Sequence, residues 1–465
     1  MFTVADVFIA SGRSPPEGAQ DVEVNGVQID SRLELTGRLF VAIRTESGDG
    51  NRFVADAFAG GAAAAIVQEP SPEWPSDRQV VVEDSVDALG KLGTHLRRAG
   101  AATVIGVTGS NGKTTTKEAL AAALSAAGTT VKSARSFNNE LGVPITLSEI
   151  DSTTDFAVVE MGAQVVGEIA EYCAIAEPDA GIICNVGRAH VGLFGSAENV
   201  AKAKGELAES IRPDGVVVLN RDDPRSHSIR GRTGARIVWF GQSEGEGVSA
   251  RYSALDGLRG CRVVVLSGAK SGTIEVPAIG RHLASGFAAA LACGEALGVD
   301  FDTLVDGLGA FTPAPHRMEV RRAGGATILD DSYNANLNSM QYALSELANA
   351  AVEGRKIAVL GDMLELGDFT ETDHRAVGSS AAFLDQLITI GDKSRMIGEA
   401  AVLAGLDLRR IRHYGSDLSD SATILESIRA IADYFHTELR DGDVVLIKGS
   451  NGLGLYRLAD SLSYA

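Results

Sequence analysis

The sequence predicts an α/β protein of three domains, with boundaries near residues 100 and 313. Three observations support this prediction. The chain has 465 residues, which is too long for one compact core and suggests about three domains. From Thr103 onward, apolar runs bounded by Gly or Asn alternate with helix-forming segments, a pattern typical of a parallel sheet covered on both faces. Thr312-Pro-Ala-Pro315 interrupts this pattern, and a second α/β series follows it.

The elements can be assigned domain by domain. The first domain, residues 1–99, mixes β-type runs with Ala-rich helical segments, and Pro70-Ser-Pro-Glu-Trp-Pro75 is a loop because prolines break helices and central strands. The central domain, 100–312, includes the β-rich part 235–280, which we expect to form an appended sheet. The third domain spans 313–465. The predicted strands are 22–29, 39–43, 64–67, 79–82, 103–107, 156–160, 181–186, 216–220, 235–240, 261–266, 273–276, 326–329, 356–360, 386–390, 411–414 and 443–447.

The composition excludes several classes of protein. A hydrophobic fraction of 45% and a charged fraction of 22% are those of an ordinary globular chain. No apolar run reaches about 18 residues, so we expect no membrane span, and residues 1–14 lack the pattern of a secretory signal. The four cysteines are far apart without a Cys-x-x-Cys pair, which favours a reducing cytoplasm. A net charge of −19 argues against nucleic-acid binding, which needs a basic face.

A glycine-rich turn, Gly106-Val-Thr-Gly-Ser-Asn-Gly-Lys-Thr-Thr115, separates an apolar strand from a helix-forming segment. Glycines permit positive φ, and a helix N-terminus adds partial positive charge, so the turn predicts a site for nucleotide phosphates. We expect ATP there, with Lys113 at the terminal phosphates and the Thr114 hydroxyl on Mg²⁺. Val107 stands where the strict phosphate-loop spacing has glycine. The predicted nucleotide-binding residues of the turn are Gly109, Ser110, Asn111, Gly112, Lys113, Thr114 and Thr115.

Two further side chains are predicted to meet the same site. Glu160 ends a predicted strand, and His190 follows the next apolar strand in Asn185-Val-Gly-Arg-Ala-His190. Ligands bind beyond the carboxyl ends of parallel strands in open α/β sheets, so both side chains are candidates to converge near Thr114 around Mg²⁺. Strand-end carboxylates and lone histidines also occur without a ligand, and the residues alone leave that alternative open.

The turn Thr108-Gly-Ser-Asn-Gly-Lys-Thr-Thr115 resembles the signature of the Mur ligases, the ATP-dependent amide-forming enzymes of peptidoglycan assembly. Further blocks resemble this family in order and span nearly the whole chain. Those that begin at Asp330 and Leu360 are specific to the branch that adds D-alanyl-D-alanine. The blocks are Asp30-Ser-Arg32, Asn138-Asn-Glu-Leu-Gly-Val-Pro144, Glu160-Met-Gly162, Ala189-His190, Ala203-Lys-Gly-Glu206, Asn220-Arg-Asp-Asp-Pro224, Arg317-Met-Glu-Val320, Asp330-Asp-Ser-Tyr-Asn-Ala-Asn336, Leu360-Gly-Asp-Met-Leu-Glu-Leu-Gly367 and Lys448-Gly-Ser450.

The resemblance implies an N-terminal domain for the uridine nucleotide, a central phosphate-loop ATPase domain and a C-terminal Rossmann-like domain that closes over ATP. It also implies a reaction. The terminal carboxylate of UDP-N-acetylmuramoyl-tripeptide takes the γ-phosphate of ATP, the amine of D-alanyl-D-alanine attacks the acyl phosphate, and ADP and phosphate leave. Such an enzyme is expected to act in the cytoplasm, as a monomer, in the cell-wall synthesis that supports cell shape and division.

The resemblance also implies roles for single residues. Arg317 resembles the family arginine that meets the γ-phosphate, and Asp331 an acceptor for the ribose hydroxyls. Lys204 matches a lysine that several relatives carbamylate to bind a second Mg²⁺, although by spacing alone it is a solvated helix lysine. The predicted catalytic residues are Lys113, His190, Lys204 and Arg317, and the predicted metal ligands are Thr114, Glu160, His190 and Lys204. The residues matched to the UDP-muramoyl peptide and the dipeptide are Ser31, Arg32, Asn138, Asn139, Asn334 and Asn336.

Three positions depart from the family pattern. Gly286 replaces an asparagine expected at the adenine ring, Asn451 an arginine near the second substrate, and Asn51 a histidine of the first domain. The phosphate and metal residues remain, so a related ligase that acts on another carboxylate in another pathway stays an alternative. A nucleotide-dependent binding protein is a second alternative, disfavoured because a binder needs no γ-phosphate arginine. A folate-polyglutamate-type ligase is disfavoured by the additional N-terminal domain.

Overall fold

The computed structural model describes residues 1–45, 48–187, 191–255, 258–415 and 421–463. Three main sheets follow one another along these residues, with four strands in the N-terminal part, nine in the central part and six in the C-terminal part. Each sheet contributes to a hydrophobic core of its own. The predicted α/β class with three domains is confirmed. The domain limits near residues 100 and 313 stay predictions.

The N-terminal part consists of short strands and helices. They are β1 (Phe2–Thr3), α1 (Val4–Ala10), β2 (Glu23–Val24), β3 (Val27–Gln28), β4 (Leu39–Val41), β5 (Arg44–Thr45), β6 (Gly48–Asp49), α2 (Val54–Ala59), β7 (Ala64–Val67), β8 (Gln79–Val81) and α3 (Ser85–Ala99). Strands β3, β4, β7 and β8 form a parallel sheet in that order. The predicted strand 22–29 is divided into β2 and β3, because Gly26 adopts a φ of +98° between them.

The central part contains the nine-stranded sheet. Its elements are β9 (Thr103–Thr108), α4 (Lys113–Ser125), β10 (Thr130–Lys132), α5 (Gly142–Leu147), β11 (Phe156–Glu160), α6 (Glu168–Ala176), β12 (Ala180–Ile183), α7 (Val191–Phe194), α8 (Ala197–Ser210), β13 (Val216–Asn220), α9 (Pro224–Ile229), β14 (Arg236–Gly241), β15 (Val248–Ala254), β16 (Cys261–Ser267), β17 (Lys270–Val276), α10 (His282–Ala296) and α11 (Phe301–Leu308). The strand order is β10-β11-β9-β12-β13-β14-β15-β16-β17. Helices α4 and α10 cover one face and α6 and α8 the other, which explains why the central strands are continuously apolar.

The β-rich residues 235–280 extend the central sheet, so the prediction of an appended sheet was wrong. β14 pairs in parallel with β13, where Asn220 lies opposite Phe240, and β15 to β17 continue the sheet outward. The physical reason is a shared core. Apolar side chains of this part, such as Val263 and Ile274, pack into the same hydrophobic cluster as helices α4 and α10.

The C-terminal part has a six-stranded sheet with helices on both faces. Its elements are β18 (Glu319–Ala323), β19 (Ala326–Asp330), α12 (Leu337–Asn349), β20 (Lys356–Gly361), α13 (Thr370–Ser380), β21 (Gln386–Ile390), α14 (Arg395–Leu403), β22 (Ile411–Tyr414), α15 (Ser421–Glu438), β23 (Val444–Lys448) and α16 (Tyr456–Ser463). The strand order is β18-β19-β23-β20-β21-β22, in which only the β18–β19 pairing is antiparallel among the described strands. Asp330 and Lys448 therefore end two neighbouring parallel strands.

None of the helices in the described part of the chain combines the length and the apolar character that a membrane crossing requires. The four cysteines are buried and free.

Candidate active site

A cavity of about 950 Å³ lies where the carboxyl ends of the central strands meet the C-terminal sheet. Its walls include the phosphate loop, the ends of β11, β12 and β23, the residues just before β18 and the segment that follows β19. Most of the residues predicted to bind nucleotide and substrate line it. They are Ser110, Asn111, Gly112, Lys113, Thr114, Thr115, Asn138, Asn139, Glu160, Arg317, Asp331, Asn334 and Asn336.

Two glycines give the phosphate loop its shape. Gly109 has a φ of +151°, and a Cβ atom there would lie 2.9 Å from the Cβ of Cys184, so a larger residue would collide. Gly112 has a φ of +80° and precedes the first residue of α4. The backbone N–H groups at the start of this helix therefore face the cavity, where anionic phosphates are stabilised by the helix dipole.

Asn185, which received no role from the sequence, fastens the loop to the end of β12. Its Oδ1 accepts a hydrogen bond from Asn111 N at 3.0 Å, and its Nδ2 donates to Asn111 O at 2.9 Å. Its backbone carbonyl accepts from Ser110 N. Asn185 is the first residue of Asn185-Val-Gly-Arg-Ala-His190, the segment in which the sequence predicts a role for His190 but none for Asn185.

Lys113 begins α4 and bends back over the loop, donating from Nζ to Gly109 O at 2.8 Å. Burial lowers the pKa of Lys113, and the carboxylate of Glu160 partly offsets this effect. Its amine thus lies against the backbone of the loop, while its role at the terminal phosphates stays a prediction.

Thr114 and Glu160 form a compact group of oxygen atoms beside the loop. Thr114 Oγ1 donates to Glu160 Oε1 at 3.3 Å, and Asn138 Nδ2 donates to the same oxygen at 2.8 Å. Glu160 is fully buried, yet its Oε2 has no hydrogen-bond partner among the described residues. A buried carboxylate oxygen without a donor and a neighbouring hydroxyl are ligands that suit Mg²⁺, so these residues fit the metal that the resemblance implies.

Arg317 reaches this group from the C-terminal part. Its Nη2 donates to Thr114 Oγ1 at 3.3 Å and to Ser136 Oγ at 3.4 Å. The guanidinium stacks on the Tyr333 ring, with Cζ 4.0 Å from the ring centroid. The stacking fixes the plane of the guanidinium, and the arginine is therefore a rigid positive group at the phosphate loop.

Asp331 follows β19 and is held by Lys448 at the end of β23. Lys448 Nζ lies 2.6 Å from Asp331 Oδ2 and donates to Asn334 O at 2.9 Å. Asp331 Oδ1 accepts from Met318 N at 3.2 Å. Lys448 is almost fully buried, and burial lowers its pKa while Asp331 opposes this. The sequence assigned Asp331 an acceptor role, but it gave Lys448 no role of its own.

Asn336 connects the two domains that surround the cavity. Its Nδ2 donates to Asn111 Oδ1 at 2.8 Å, across 225 residues of sequence. Its side-chain oxygen also caps α12 by accepting from Ser339 N at 3.0 Å. Asn336 thus links the phosphate loop to the start of a C-terminal helix.

Several predicted site residues are not among those that line the cavity. Lys204 is buried on α8 with its Nζ 5.7 Å from the centroid of the Phe194 ring, outside the residues that line the cavity. Burial lowers the pKa of Lys204 to about 7. Ser31 and Arg32 also lie outside the cavity lining, and exposed Arg32 pairs with Asp30 at 2.7 Å. His190 falls outside the described residues.

His282, at the start of α10, is a cavity residue without an assigned role. Its backbone N–H donates to Tyr342 Oη at 2.7 Å, and its ring meets the Tyr342 ring edge-on. Burial lowers the pKa of His282 to about 4, so the imidazole is neutral at physiological pH. In the sequence, His282 lies four residues before Gly286, about one helical turn from a position that departs from the family pattern.

The surroundings of two positions that depart from the family pattern are defined in the structure. A Cβ atom on Gly286 would lie 3.4 Å from Thr115 Cγ2, an ordinary contact, so the helix leaves room for a Cβ atom there. Asn51 Oδ1 accepts from Gln68 N at 3.1 Å, and its Nδ2 donates to Asp49 Oδ1 at 2.7 Å. Asn51 therefore stabilises a local loop of the N-terminal part.

Comparison with known proteins agrees with this geometry. Two family models match the chain: the Mur ligase middle domain over residues 107–294 and the Mur ligase, glutamate ligase domain over residues 316–451. The UDP-N-acetylmuramoyl-tripeptide–D-alanyl-D-alanine ligase of Synechocystis sp. is 34% identical over 449 residues, covering 96% of this chain and 93% of its own. The Bacillus subtilis protein of the same name is 31% identical over 457 residues, covering 96% and 94%.

Solved structures give the same result. The crystal structure of MurF from Acinetobacter baumannii has a TM-score of 0.82 at 30% identity and covers 100% of this chain and 99% of its own. The structure of MurF ligase from Thermotoga maritima in complex with ADP has a TM-score of 0.78 at 28% identity, covering 96% and 98%.

Proposed function

The chain belongs to the Mur ligase family, and from this premise we propose that it joins D-alanyl-D-alanine to UDP-N-acetylmuramoyl-tripeptide with the cleavage of ATP to ADP and phosphate. This places it in peptidoglycan synthesis as an ATP-dependent, amide-forming ligase. Relatives with this printed activity cover nearly the whole chain, and therefore the alternative of a ligase from another pathway is not favoured.

The observation that carries the proposal is the contact between Arg317 and the phosphate loop. A carboxylate is a poor electrophile, so it must first become an acyl phosphate, and this requires phosphoryl transfer between two anions. Such a transfer needs positive charge on both sides of the γ-phosphate. Lys113 supplies it from the loop and Arg317 from the C-terminal part, where its Nη2 lies 3.3 Å from Thr114 Oγ1.

The remaining site residues have complementary roles in this proposal. Thr114 and Glu160 would hold Mg²⁺, which would neutralise phosphate charge. Asn138 and Asn139 would face the muramoyl peptide, and Asp331 would accept the ribose hydroxyls. Lys204, with an amine whose pKa is lowered to about 7, would be carbamylated to serve a second Mg²⁺. His190, Asn334 and Asn336 complete the proposed set, and Ser31 and Arg32 would contact the UDP moiety in the first domain.

The enzyme is also proposed to be a cytoplasmic monomer, with limits of 1–99, 100–312 and 313–465 for its three domains. The support for the location is the set of buried free cysteines. Size measurement by light scattering tests the monomeric state.

Phosphate release tests the proposed reaction. Purified protein is incubated with ATP, Mg²⁺ and UDP-N-acetylmuramoyl-tripeptide, with and without D-alanyl-D-alanine, and phosphate and the peptide product are measured. We expect steady turnover only with the dipeptide. A Lys113→Met variant serves as the control, since it loses the amine proposed to bind phosphate, and its circular dichroism spectrum checks that it is folded. Turnover that does not depend on the dipeptide would contradict the assignment.

A further inference from the structure

Lys117 is a fully buried lysine on the second turn of α4, behind the phosphate loop. It lies three residues after Thr114 and four after Lys113, so its side chain emerges on the same face of the helix as theirs. Burying a charged amine is costly unless opposite charges and hydrogen-bond acceptors surround it. The groups that contact the buried amine therefore indicate the function of its charge.

The Lys117 amine joins three elements beneath the metal-binding oxygens. Its Nζ donates to Ser133 O at 2.8 Å and to Arg135 O, both in the turn that follows β10. It forms ion pairs with Glu118 Oε1 at 3.1 Å and with Glu160 Oε2 at 3.6 Å. Helix α4, the turn after β10 and the end of β11 are thus held by one ammonium group.

Glu160 receives a different partner on each oxygen. Its Oε1 accepts from Asn138 and Thr114, whereas Oε2 has no hydrogen-bond partner among the described residues. At 3.6 Å, the Lys117 amine attracts Oε2 without donating a hydrogen bond to it. The carboxylate is therefore balanced by a positive charge while the lone pairs of Oε2 stay free.

The turn held by Lys117 also shapes the site. Arg135 adopts a φ of +49°, an uncommon conformation for a residue with a side chain, and its carbonyl accepts from Lys117. One residue later, Ser136 Oγ lies 3.3 Å from Thr114 Oγ1 and accepts from Arg317 Nη2 at 3.4 Å. The lysine thus fixes the turn that brings Ser136 to the loop hydroxyl and to the arginine.

We propose that Lys117 is a positioning residue of the metal site, whose buried ammonium holds the Glu160 carboxylate and the turn at residues 133–136 in the arrangement that binds Mg²⁺ with the nucleotide. Lys117 touches neither phosphate nor substrate in this role. It acts through Glu160 and Ser136. The inference deepens the proposed function, since it rests on Glu160 serving the metal that accompanies ATP.

The test measures how strongly Mg²⁺ increases the affinity of the protein for ADP. In Lys117→Met the side chain keeps a similar length and loses its charge. ADP affinity is measured by calorimetry in excess Mg²⁺ and in EDTA. We expect affinity in EDTA to stay within about twofold of the wild type, and affinity in Mg²⁺ to fall on the order of 10- to 100-fold, as for other residues that orient a metal ligand. Equal weakening in both conditions would overturn the proposal, because it would mean a general loss of loop structure.

Lys132→Met is the matched control. Lys132, on β10, pairs with the same Glu118 from the exposed side. It forms no ion pair with Glu160 among the described contacts, so we expect both affinities to stay within about twofold of the wild type. A loss of Mg²⁺-dependent binding in this variant equal to that in Lys117→Met would also overturn the proposal.

A double-mutant cycle covers the case in which Lys117→Met folds poorly. Glu160→Gln removes the carboxylate that Lys117 balances, so Lys117→Met should lower the urea midpoint less in the Glu160→Gln background than alone. If Lys117→Met alone does not fold but the double variant does, this result supports the pairing of Lys117 with Glu160. Equal shifts in both backgrounds, or failure of both, would show that Lys117 serves the fold alone. These assays contain neither peptide substrate, so their outcome is separate from that of the phosphate-release test.

Discussion

Arg317 and Thr114 are 203 residues apart, and Arg317 Nη2 donates to Thr114 Oγ1 at 3.3 Å across the junction of the central and C-terminal parts. The hydroxyl predicted for Mg²⁺ and the arginine predicted for the γ-phosphate therefore belong to one site. Thr114 lies in helix α4 of the central part and Arg317 just before strand β18 of the C-terminal part, so the site is complete only when both parts are packed together.

The first prediction concerns Arg317. Arg317→Ala should lower kcat on the order of 10³-fold with a smaller effect on the KM for ATP, because the positive group would act on charge that develops during phosphoryl transfer. Steady-state phosphate release measures both constants. Arg281→Ala is the control, since Arg281 pairs with Glu346 across the same junction at 3.5 Å and lies outside the cavity lining. A comparable loss in both variants would point to domain packing as the cause.

The second prediction concerns Lys204. An amine with a pKa lowered to about 7 is mostly neutral above pH 7 and protonated below it, and only the neutral form reacts with CO₂. We expect mass spectrometry of gently handled protein to detect a carbamate on Lys204. We also expect added CO₂ to raise the activity above pH 7, and this stimulation to weaken below pH 7. Lys202→Ala, at an exposed position of the same helix, should keep this dependence, whereas Lys204→Ala should abolish it. Unchanged CO₂ dependence in Lys204→Ala would contradict the prediction.

The third prediction concerns the ion pair between Lys448 and Asp331. Lys448→Met leaves the Asp331 carboxylate without its buried cation and frees Asn334 O, so the loop after β19 should lose its position. We expect the KM for ATP to rise roughly 10- to 100-fold with a smaller change in kcat. Lys356→Met is the control, because Lys356 lies at the far end of the neighbouring strand β20 and donates to Ala348 O outside the cavity. An unchanged KM in Lys448→Met would rule out this role.

The fourth prediction concerns Gly286. The space beside Thr115 accommodates a Cβ atom, so Gly286→Asn should fold and offer the amide that the family pattern places at the adenine ring. We expect the ratio of kcat/KM for ATP over GTP to increase roughly three- to tenfold, the value of one added hydrogen bond. Gly286→Ala adds the Cβ without the amide and should leave the ratio within about twofold. An equal change of this ratio in both variants would mean that the added Cβ atom alters the helix, and that the amide makes no contact with adenine.

The strands were the part of the fold that the sequence predicted best. Three strands have the predicted limits, because each is a short, mainly apolar segment whose side chains are largely buried. They are Phe156–Glu160, Val216–Asn220 and Gln386–Ile390. The edge strand Thr130–Lys132 was missed, since it is short and its side chains are only half-buried. The place of β14 to β17 was also missed, because their alternating pattern fits a separate sheet as well as an extension.

The candidate site was predicted in part. The loop glycines, Lys113, Thr114 and Glu160 carry local signals. Of these residues, Gly112, Lys113, Thr114 and Glu160 line the cavity. Lys117 and Asn185 carry none, since a helix lysine and a loop asparagine are usually solvated. Their function depends on neighbours that are distant in sequence: Glu160 for Lys117 and Asn111 for Asn185.

The sequence by itself determined the α/β class, the phosphate loop and the carboxylate at the end of β11, because backbone conformation and strand burial follow from residues that are close along the chain. Only the tertiary structure decided that Arg317 meets Thr114, that Lys448 holds Asp331 and that Lys117 is buried against Glu160. These contacts depend on strand order and on the packing of two domains. Both arise from long-range burial of apolar surface, which local sequence patterns do not specify.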